Sequence, residues 1–351
     1  EAHGVKPVYV PEMSRELSPK DIISLWKVYR LIVHEKPDII HTHTAKAGTI
    51  GRISGMLYRW LNWKNVKIVH TFHGHFFHSY YGALKTRAFL LVEKFLARFA
   101  TDKIVVISAQ QFEEIHQRFG VGRSEQYEII QLGIDLEPFQ NSPEKRMLMR
   151  REVGAGDDEI LIGFVGRLTE IKNVTLFLRV AEIYKNQKDE NTPKLKFLII
   201  GDGNLRATLE READACGLNE TIRFLGSRSD ADVFYSGLDV IALTSLNEGT
   251  PLSLIEAMAN GKPFISTAVG GVVDLLGAEQ IRGEGFAVCE RGVKIACNSA
   301  VDFYKGLIYL VKNETLQKSL ASSGKKFIET EYDLKRLIKD EKNLYRELTK
   351  K

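Results

Sequence analysis

Residues 248–256 read Glu-Gly-Thr-Pro-Leu-Ser-Leu-Ile-Glu and have the composition of an anion-binding helix start. Thr250 is a favourable N-cap, and Pro251 suits the first position of a helix. The free N–H groups of Leu252 and Ser253 would then point out of the helix N-terminus. Such a terminus attracts phosphate, because unpaired N–H groups and the helix dipole both favour negative charge.

Two carboxylates flank this turn. Glu248 precedes the predicted helix, and Glu256 lies about two turns inside it. One acid could contact a group beyond the phosphate, and the other could reach back along the ligand. A nucleotide sugar, with ribose and hexose on either side of a diphosphate, fits this arrangement. The alternative is a capped helix with two solvated acids, but the buried strand predicted at 238–243 favours a ligand site.

A second candidate cluster follows the strand predicted at 160–165. Gly166 permits close approach of the backbone to a ligand. Arg167 and Lys172 could clamp a diphosphate and offset the charge on a departing group. The alternative is two surface cations on a loop between a strand and a helix. Both cations lie at the predicted ligand-binding end of the sheet, which favours the binding interpretation.

The turn Gly201-Asp202-Gly203 follows a strand and opens a helix. It is not a dinucleotide fingerprint, because Arg206 stands where the third glycine is needed. We expect a tight turn in which Gly203 lines a nucleotide pocket, while Asp202 is better explained by a structural role.

Three further turns end predicted strands. Arg228, in the turn 226–228, could help to contact a base. The pair Gly270-Gly271 could let the backbone approach the donor. Asp135 is better explained as a structural cap at the crossover between domains. Each of these signals has low specificity when taken alone.

Histidines occur at the ends of two strands in the first half. His73 follows the apolar Phe72, so its ring should lie at the ligand-binding edge and could hydrogen-bond a sugar hydroxyl or a developing charge. His41 and His43 form a second pair after another strand. We predict no metal site here, because no acid or helical spacing accompanies these histidines.

Strands and helices alternate along the whole chain, which predicts parallel sheets covered by helices on both faces. Strands are predicted at 38–41, 66–72, 103–107, 127–131, 160–165, 196–200, 222–225, 240–243, 263–267 and 285–288. We expect a first domain at 1–140, a linker with a short helix inside it at 141–158, a second domain at 159–330, and a terminal helix at 331–351 that packs back towards the first domain.

Length and composition agree with this organisation. The 351 residues exceed a usual single core, and the 44% hydrophobic and 27% charged content is ordinary for a soluble protein. No apolar run is long enough to span a membrane, and no signal peptide is visible. The three cysteines, Cys216, Cys289 and Cys297, lack metal spacing and favour a reduced cytoplasmic setting.

The first half of the chain is basic. Residues 1–150 carry 21 Lys and Arg against 15 Asp and Glu, and the remainder carries 28 against 30. The helix predicted at 83–99 mixes apolar and basic residues, and tryptophans lie nearby in sequence. Such a surface could lie on an anionic membrane as a peripheral contact. The alternative is an ordinary core-packed helix with a charged face. Nothing resembles a nucleic-acid-binding module.

Together these residues resemble the retaining family-4 glycosyltransferases of the GT-B fold. The matching motifs form an ordered set, namely Gly166-Arg167 with Lys172-Asn173, Gly201-Asp202-Gly203, Glu248 to Glu256, and Gly270-Gly271-Val272. The His-Thr-Phe-His-Gly sequence at 70–74 resembles bacterial members that build surface polysaccharides. The resemblance implies an α/β fold with two Rossmann-like, doubly wound domains facing a central cleft. The first is on the acceptor side, and the second binds the nucleotide-sugar donor.

The resemblance also implies roles for individual residues. Arg167 and Lys172 would hold the donor diphosphate, Glu248 would contact the transferred hexose, and Glu256 the ribose. His73 would lie beside the sugar. The family needs no divalent metal or other cofactor. Its usual first strand and glycine-rich loop are not found here, so the first domain is expected to be incomplete at its start.

These observations predict an enzyme that moves a hexose from a nucleoside diphosphate sugar, with UDP favoured by resemblance, to a hydroxyl group. The acceptor is expected to be a lipid-linked or surface-polysaccharide precursor, and the anomeric configuration is retained. We expect the enzyme in the cytoplasm, with the inner face of the cell membrane as an alternative site. Two alternatives remain: a nucleotide-sugar 2-epimerase, and a non-catalytic nucleotide-sugar-binding subunit.

Overall fold

Two units make up the computed structural model, which describes residues 7–13, 18–73, 83–140, 142–296 and 298–350. Unit 1 comprises Glu1–Leu132 and Leu337–Lys351, and unit 2 comprises Gly133–Arg336. The boundary between them therefore lies before the end of the first domain predicted at 1–140.

Unit 1 is built on short parallel strands. They are β1 (Ile39–His43), β2 (Lys67–Phe72), β3 (Lys103–Val106) and β4 (Tyr127–Ile129), and they pair in that order. The alternating helices are α1 (Asp21–Glu35), α2 (Ala45–Asn62), α3 (Ala83–Phe99) and α4 (Ala109–Phe112), the last continuing as the π-helix Glu113–Arg118. Because each helix returns the chain to the start of the next strand, the carboxyl ends of the strands share one edge.

Unit 2 is built on a larger sheet. Its strands are β5 (Glu159–Val165), β6 (Lys194–Ile200), β7 (Ile222–Gly226), β8 (Val240–Leu243), β9 (Phe264–Thr267), β10 (Glu279–Arg282), β11 (Phe286–Cys289) and β12 (Val293–Ile295). Its helices are α5 (Pro143–Glu152), α6 (Val174–Gln187), α7 (Arg206–Ala215), α8 (Ala231–Gly237), α9 (Leu252–Ala259), α10 (Val272–Leu276), α11 (Ala300–Val311) and α12 (Glu314–Glu331). The terminal helix α13 (Leu334–Thr349) follows.

The eight strands lie in the order β10-β11-β12-β9-β8-β5-β6-β7. Strands β5 to β9 pair in parallel, and the chain order reverses between β5 and β8, which is where doubly wound sheets bind ligands. The sequence did not predict β10 and β12. Strand β10 is exposed along its whole length, so it has no apolar pattern to detect, and it joins the sheet through antiparallel pairing with β11.

Residues of β3 point alternately to the two faces of the unit 1 sheet and serve a core on each. Ile104 and Val106 pack with Ala97 of α3 on one face. On the other face, Val105 packs with Val69, Ile130 and Leu344. The last of these belongs to α13, so the terminal helix is part of unit 1 from Leu337 onward. A strand covered on both faces explains the continuous apolar run in the sequence.

Helix α5 occupies much of the segment predicted as a linker, 141–158, and it lies within unit 2. Arg150, which is 6% exposed, contacts Asp239 at 3.0 Å, and Arg146 contacts the same carboxylate at 2.7 Å. The polar composition that suggested a linker therefore reflects a helix fixed to the sheet by ion pairs. Helix α5 is the short helix expected inside this segment, and its buried charges are satisfied by partners on the sheet.

Helix α3 has a packed face and an exposed face. Leu96 and Ala97 are buried, whereas Leu91 and Phe95 are exposed. Core packing and an accessible apolar surface thus coexist on different sides of one helix. Within the described residues, no helix combines the length and the apolarity needed to cross a bilayer.

Candidate active site

Hydrogen bonds to backbone carbonyls join the loops that follow the central strands of unit 2. Leu246 N donates to Ile171 O at 2.8 Å, and the Thr244 hydroxyl donates to Lys172 O at 3.0 Å. These bonds tie the loop after β8 to the loop after β5. The Thr267 hydroxyl, at the end of β9, donates to Ser245 O at 2.6 Å. Three neighbouring strand ends therefore form one connected edge rather than independent loops.

Lys172 and Glu248 form an ion pair at this edge. The Lys172 Nζ lies 2.5 Å from Glu248 Oε1, and the side chains are only 19% and 10% exposed. The Ser245 hydroxyl donates to the same carboxylate oxygen at 2.6 Å. Because both partners are largely removed from solvent, their attraction is screened less than that of a surface pair. The structure thus brings together two residues separated by 76 positions.

Glycines at 270 and 271 make room for the backbone that carries Glu248. A Cβ on Gly270, where φ is +53°, would lie 1.8 Å from Glu248 O, and one on Gly271 would lie 2.2 Å from Gly249 O. The approach of this backbone to a donor stays a prediction, but a close approach to another segment of the chain is present. In the described protein its partner is the 248–249 backbone, so these glycines set the position of the acid.

The glycines of the turn 201–203 have a similar structural use. A Cβ on Gly201 would lie 1.9 Å from Gly166 O, and one on Gly203 would lie 2.4 Å from Leu168 O. The turn after β6 therefore packs directly on the loop after β5. Asp202 accepts a hydrogen bond from Gly203 N and pairs with Arg206, consistent with the structural role expected for it.

Helix α9 has a different N-cap from the one that the sequence predicted. Its first residue is Leu252, and Pro251 is the N-cap, with no capping hydrogen bond from its side chain. The prediction of Thr250 as N-cap and Pro251 as first helical residue was therefore wrong. Proline adopted an extended ψ of 110°, which moves the helix start by one position. The N–H groups of Leu252 and Ser253 remain at the N-terminus, and the first backbone bond within the helix is Leu254 N to Pro251 O.

Glu256 lies about one turn inside α9 rather than two, and it is only partly accessible. The Tyr235 hydroxyl donates to Ser253 O at 3.0 Å and also lies close enough to the Glu256 carboxyl to interact with it. Burial raises the pKa of Glu256, while the hydrogen bond from Tyr235 lowers it. Tyr235 itself is completely buried. Tyr235 is therefore a buried neighbour of the acid, and no sequence pattern pointed to it.

The other predicted cations differ sharply from Lys172. Arg167 is exposed, and no ion pair formed by the described residues includes it. Arg228 is bound by Glu152 and lies 2.6 Å from Asp230. Hydrogen bonds to these two acids raise the pKa of Arg228. Arg228 thus belongs to a separate ion-pair cluster with Glu152 and Asp230, and the structure does not join it to the Lys172–Glu248 pair.

The equivalent edge of unit 1 carries histidines. His73, at the end of β2, lies 2.7 Å from the ring of His43, at the end of β1. Burial lowers the pKa of both rings, and the nearby Glu341 of α13 partly opposes this for His73. His41 contacts Tyr345 at 2.5 Å and Thr71 at 2.7 Å, and burial lowers its pKa to about 4. Near neutral pH these rings are uncharged hydrogen-bonding groups.

Several partners of the predicted site residues were not selected from the sequence. Ser245 could have been found, because it lies two residues after β8 and three residues before Glu248. Glu341 and Tyr345 lie in a charged terminal helix about 270 positions or more from the histidines they accompany, and no local pattern connects them. Within the described ranges, no group of three or more His, Cys, Asp or Glu side chains has the arrangement of a metal site.

Comparison with known proteins decides the family. A family model for group 1 glycosyl transferases matches residues 145–327, and a model for glycosyltransferase family 4 matches residues 1–138. The chain belongs to the group 1 and family 4 glycosyltransferases. The first match covers the Lys172–Glu248 pair and α9, and the second covers the sheet of unit 1.

Two curated glycosyltransferases show how this chain relates to the family. The Escherichia coli UDP-Gal:alpha-D-GlcNAc-diphosphoundecaprenol alpha-1,3-galactosyltransferase is 32% identical over 76% of this chain and 67% of its own length. The capsular polysaccharide biosynthesis glycosyltransferase CapM of Staphylococcus aureus is 26% identical over 96% of this chain and 84% of its own.

Solved glycosyltransferase structures confirm the predicted GT-B fold. Anabaena HepE in complex with UDP matches with a TM-score of 0.75 at 18% identity, over 94% of this chain and 82% of that one. Sucrose-phosphate synthase from Thermosynechococcus elongatus matches with a TM-score of 0.76 at 21% identity, over 97% and 80%. At these identities the likeness establishes the α/β fold with its two Rossmann-like units.

Proposed function

We propose that this glycosyltransferase moves a hexose from a UDP-sugar to a hydroxyl acceptor and retains the anomeric configuration. The observation that carries the proposal is the Lys172–Glu248 ion pair beside the N-terminus of α9. A cation, free backbone N–H groups and a carboxylate at one strand edge are the groups that a diphosphate and a sugar need. The UDP complex of HepE and the UDP-galactose named for the Escherichia coli relative support UDP as the donor nucleotide.

In this proposal the diphosphate is bound by Lys172 together with the N–H groups of Leu252 and Ser253. Glu248 hydrogen-bonds the hydroxyls of the hexose. Glu256, fixed by Tyr235, hydrogen-bonds the ribose. Arg167 is free to turn towards the phosphates because it is exposed. Each role uses a group that the loop contacts already hold near the strand edge, which limits the reorganisation needed when the donor binds.

The proposed reaction follows a front-face course. The bond between the anomeric carbon and the diphosphate oxygen breaks, and the electron pair leaves with the diphosphate. Lys172 and the α9 N-terminus stabilise the charge that develops there. The acceptor oxygen then bonds to the same face of the anomeric carbon, and its proton passes to the departing phosphate oxygen. No protein nucleophile and no divalent metal are required.

For unit 1, the proposal assigns His73 to the sugar. Because burial lowers its pKa, His73 is neutral at working pH and can donate or accept a hydrogen bond with a hydroxyl. The acceptor is proposed to be a lipid-linked or surface-polysaccharide precursor on the cytoplasmic side of the membrane, by analogy with the names of the Escherichia coli and Staphylococcus aureus relatives. Replacing His73 by Ala should slow transfer, whereas replacing the exposed His34 by Ala should not.

The test begins with binding and ends with the product. Purified protein is mixed with UDP-, GDP-, ADP- and dTDP-sugars, and thermal unfolding is measured. A ligand at 100-fold its dissociation constant should add about 2.7 kcal/mol to the free energy of unfolding. The donor so identified is then incubated with a lipid diphosphate saccharide, with and without EDTA, and the new glycosidic bond is assigned by NMR.

An α-linked product from an α-linked donor, formed equally well with EDTA, supports the proposal. An inverted linkage contradicts the retaining mechanism. Conversion of the donor sugar to its 2-epimer without an acceptor identifies an epimerase instead. Donor binding with neither transfer nor epimerisation, tested in the full-length protein, identifies a binding subunit.

A further inference from the structure

The charge of unit 1 is concentrated on two helices and the turn that follows one of them. Between residues 45 and 101 the sequence contains nine Lys and Arg residues and one acid, Glu93. That acid is buried and paired with Arg52 at 2.7 Å, with side chains 0% and 1% exposed. The surface contributed by α2 and α3 therefore displays basic groups without an exposed acid of its own.

Several of these basic groups are accessible. Lys64, Lys94 and Arg98 are exposed, and the ion pairs formed among the described residues do not include them. Arg59 is different, because Asp102 binds it at 2.5 Å. Arg87, near the start of α3, is also exposed, so accessible cations lie along α3 and just beyond the C-terminal end of α2.

Large apolar side chains are exposed in the same region. Leu91, Phe95 and Phe99 recur every four residues along α3, so they form one stripe, and the rings of the last two lie 5.0 Å apart. Trp60, near the end of α2, is 58% exposed, and Trp63, just beyond it, is 93% exposed.

The two groups of apolar residues belong to one surface. Met56 of α2 packs against Leu96 and Ala100 at the end of α3, which places the C-terminal parts of the two helices side by side. Trp60 lies one turn beyond Met56, and Phe99 adjoins Ala100. We define the α2–α3 face as the apolar residues Trp60, Trp63, Leu91, Phe95 and Phe99 with the basic residues Lys64, Lys94 and Arg98.

We propose that the α2–α3 face docks the protein on an anionic lipid bilayer. Indole rings favour the interface between lipid headgroups and acyl chains, and phenylalanine and leucine side chains enter the acyl boundary. Lysine and arginine near the surface are attracted to anionic headgroups. The guanidinium of Arg98 lies 5.6 Å from the ring centre of Phe99, so a basic group and an apolar side chain could contact the bilayer side by side.

Charge decides between a bilayer and a protein partner. Protein interfaces are depleted in lysine at their centre, whereas two of the three basic residues here are lysines interspersed among the apolar ones. A continuous positive surface without exposed acids complements a uniformly negative one. Docking would bring the enzyme to a lipid-linked acceptor, and this purpose, though not the docking itself, rests on the proposed function.

Vesicle binding tests the docking directly. The protein is mixed with vesicles of equimolar phosphatidylglycerol and phosphatidylcholine, or of phosphatidylcholine alone, and bound protein is separated by flotation. The three tryptophans of the chain, Trp26, Trp60 and Trp63, all lie in unit 1, so intrinsic fluorescence reports on this region. We expect binding to the anionic vesicles only, with fluorescence quenched by brominated acyl chains.

Two variants locate the surface. Combining Lys64→Gln, Lys94→Gln and Arg98→Gln should weaken partitioning about 100-fold, as expected for three basic residues near an anionic membrane. The matched control combines Lys194→Gln, Lys305→Gln and Lys318→Gln in unit 2 and should bind as the parent does. Trp63→Ser should reduce both vesicle binding and fluorescence quenching. Because the Trp63 side chain is exposed, we do not expect its replacement to disturb the fold. Circular dichroism and donor binding confirm that each variant is folded.

Unchanged vesicle binding by the basic-to-Gln variant would overturn the proposal. The proposal would also be overturned if the parent protein did not bind vesicles but formed a dimer that Trp63→Ser abolishes. The α2–α3 face would then join two copies of the chain. Transfer to a water-soluble acceptor without vesicle binding would remove the docking proposal and leave the proposed function intact. Vesicle binding without any nucleotide-sugar binding would support the docking proposal and contradict the proposed function.

Discussion

At the carboxyl ends of its strands, unit 2 carries a preformed ion pair, whereas unit 1 carries histidines that burial keeps neutral. Lys172 and Glu248 form an ion pair, and both side chains are largely shielded from solvent. His41, His43 and His73 have lowered pKa values and hydrogen-bond one another or neighbouring hydroxyls. The same architecture has thus produced an edge suited to a charged ligand and an edge suited to uncharged hydroxyls.

The two edges also differ in how their positions are fixed. In unit 2, glycines allow neighbouring backbones to approach so closely that a Cβ at Gly270 would meet Glu248 O at 1.8 Å. In unit 1, the side chains are held mainly by other side chains, including Tyr345 of α13. Backbone contacts define one edge and side-chain contacts define the other, so substitutions should affect them differently.

The largest effect is expected from removing the cation of unit 2. Lys172→Ala should lower kcat by about 10²–10³-fold, because the variant loses an electrostatic group positioned for the leaving diphosphate. Steady-state transfer rates check this. The matched control is Lys194→Ala. Lys194 is exposed, pairs with Asp158 and lies at the amino end of β6, away from the carboxyl ends of the strands, so this variant should keep the parental rate. A kcat near the parental value in Lys172→Ala would show that unit 2's charge does not act in the reaction.

Gly270→Ala should disturb the same edge through the backbone. The added Cβ would force Glu248 away, and a displacement near 1 Å can cost about 10²-fold in rate. Gly261→Ala is the control, because φ is also positive there, at +68°, but the nearest atom to the new Cβ is Lys325 Cδ at 3.9 Å.

Both glycine variants place an alanine at a positive φ and carry the same backbone cost. The difference between their free energies of unfolding therefore isolates the effect of the steric clash. Transfer rates and thermal unfolding should both separate them, with Gly270→Ala the lower in each. Equal losses in the two variants would mean that the close contact with Glu248 does not position the acid.

The smallest effect concerns the pH dependence of unit 1. The folded protein keeps His41 neutral down to about pH 4, whereas an unfolded histidine gains a proton below about pH 6.5. Unfolding therefore takes up a proton between these values, and the free energy of unfolding should fall as the pH is lowered through this window. At about 1.4 kcal/mol per unit, the contribution of His41 is roughly 3 kcal/mol at most.

Urea unfolding at a series of pH values measures this slope. His41→Gln keeps a polar partner for Tyr345 and Thr71 but cannot titrate, so its profile should be shallower between pH 6.5 and pH 4. His34→Gln, at an exposed position, should leave the profile unchanged. A profile for His41→Gln with the parental slope would show that burial of this ring does not link stability to pH.

Much of the fold could be predicted from local patterns. Helix α3 has the predicted bounds, Ala83–Phe99, and β8 has the predicted bounds, Val240–Leu243, because each has a strong apolar period of its own. Strand β10 could not be predicted, because its residues are exposed and show no apolar pattern. It is a strand because it forms antiparallel backbone hydrogen bonds with β11. The ion pairs of α5 could not be predicted either, because their partner Asp239 lies far along the chain.

For the candidate site, the sequence by itself determined which groups are available: glycines after strands, a lysine after β5, two acids around α9, and histidines within β1 and after β2. Tertiary structure decided which of them act together. It paired Lys172 with Glu248, bound Arg228 to two acids, and placed Tyr235 beneath Glu256. The reason is physical, since side-chain types are fixed by local sequence, but ion pairs and close backbone contacts depend on distances between segments that only the folded sheet brings together.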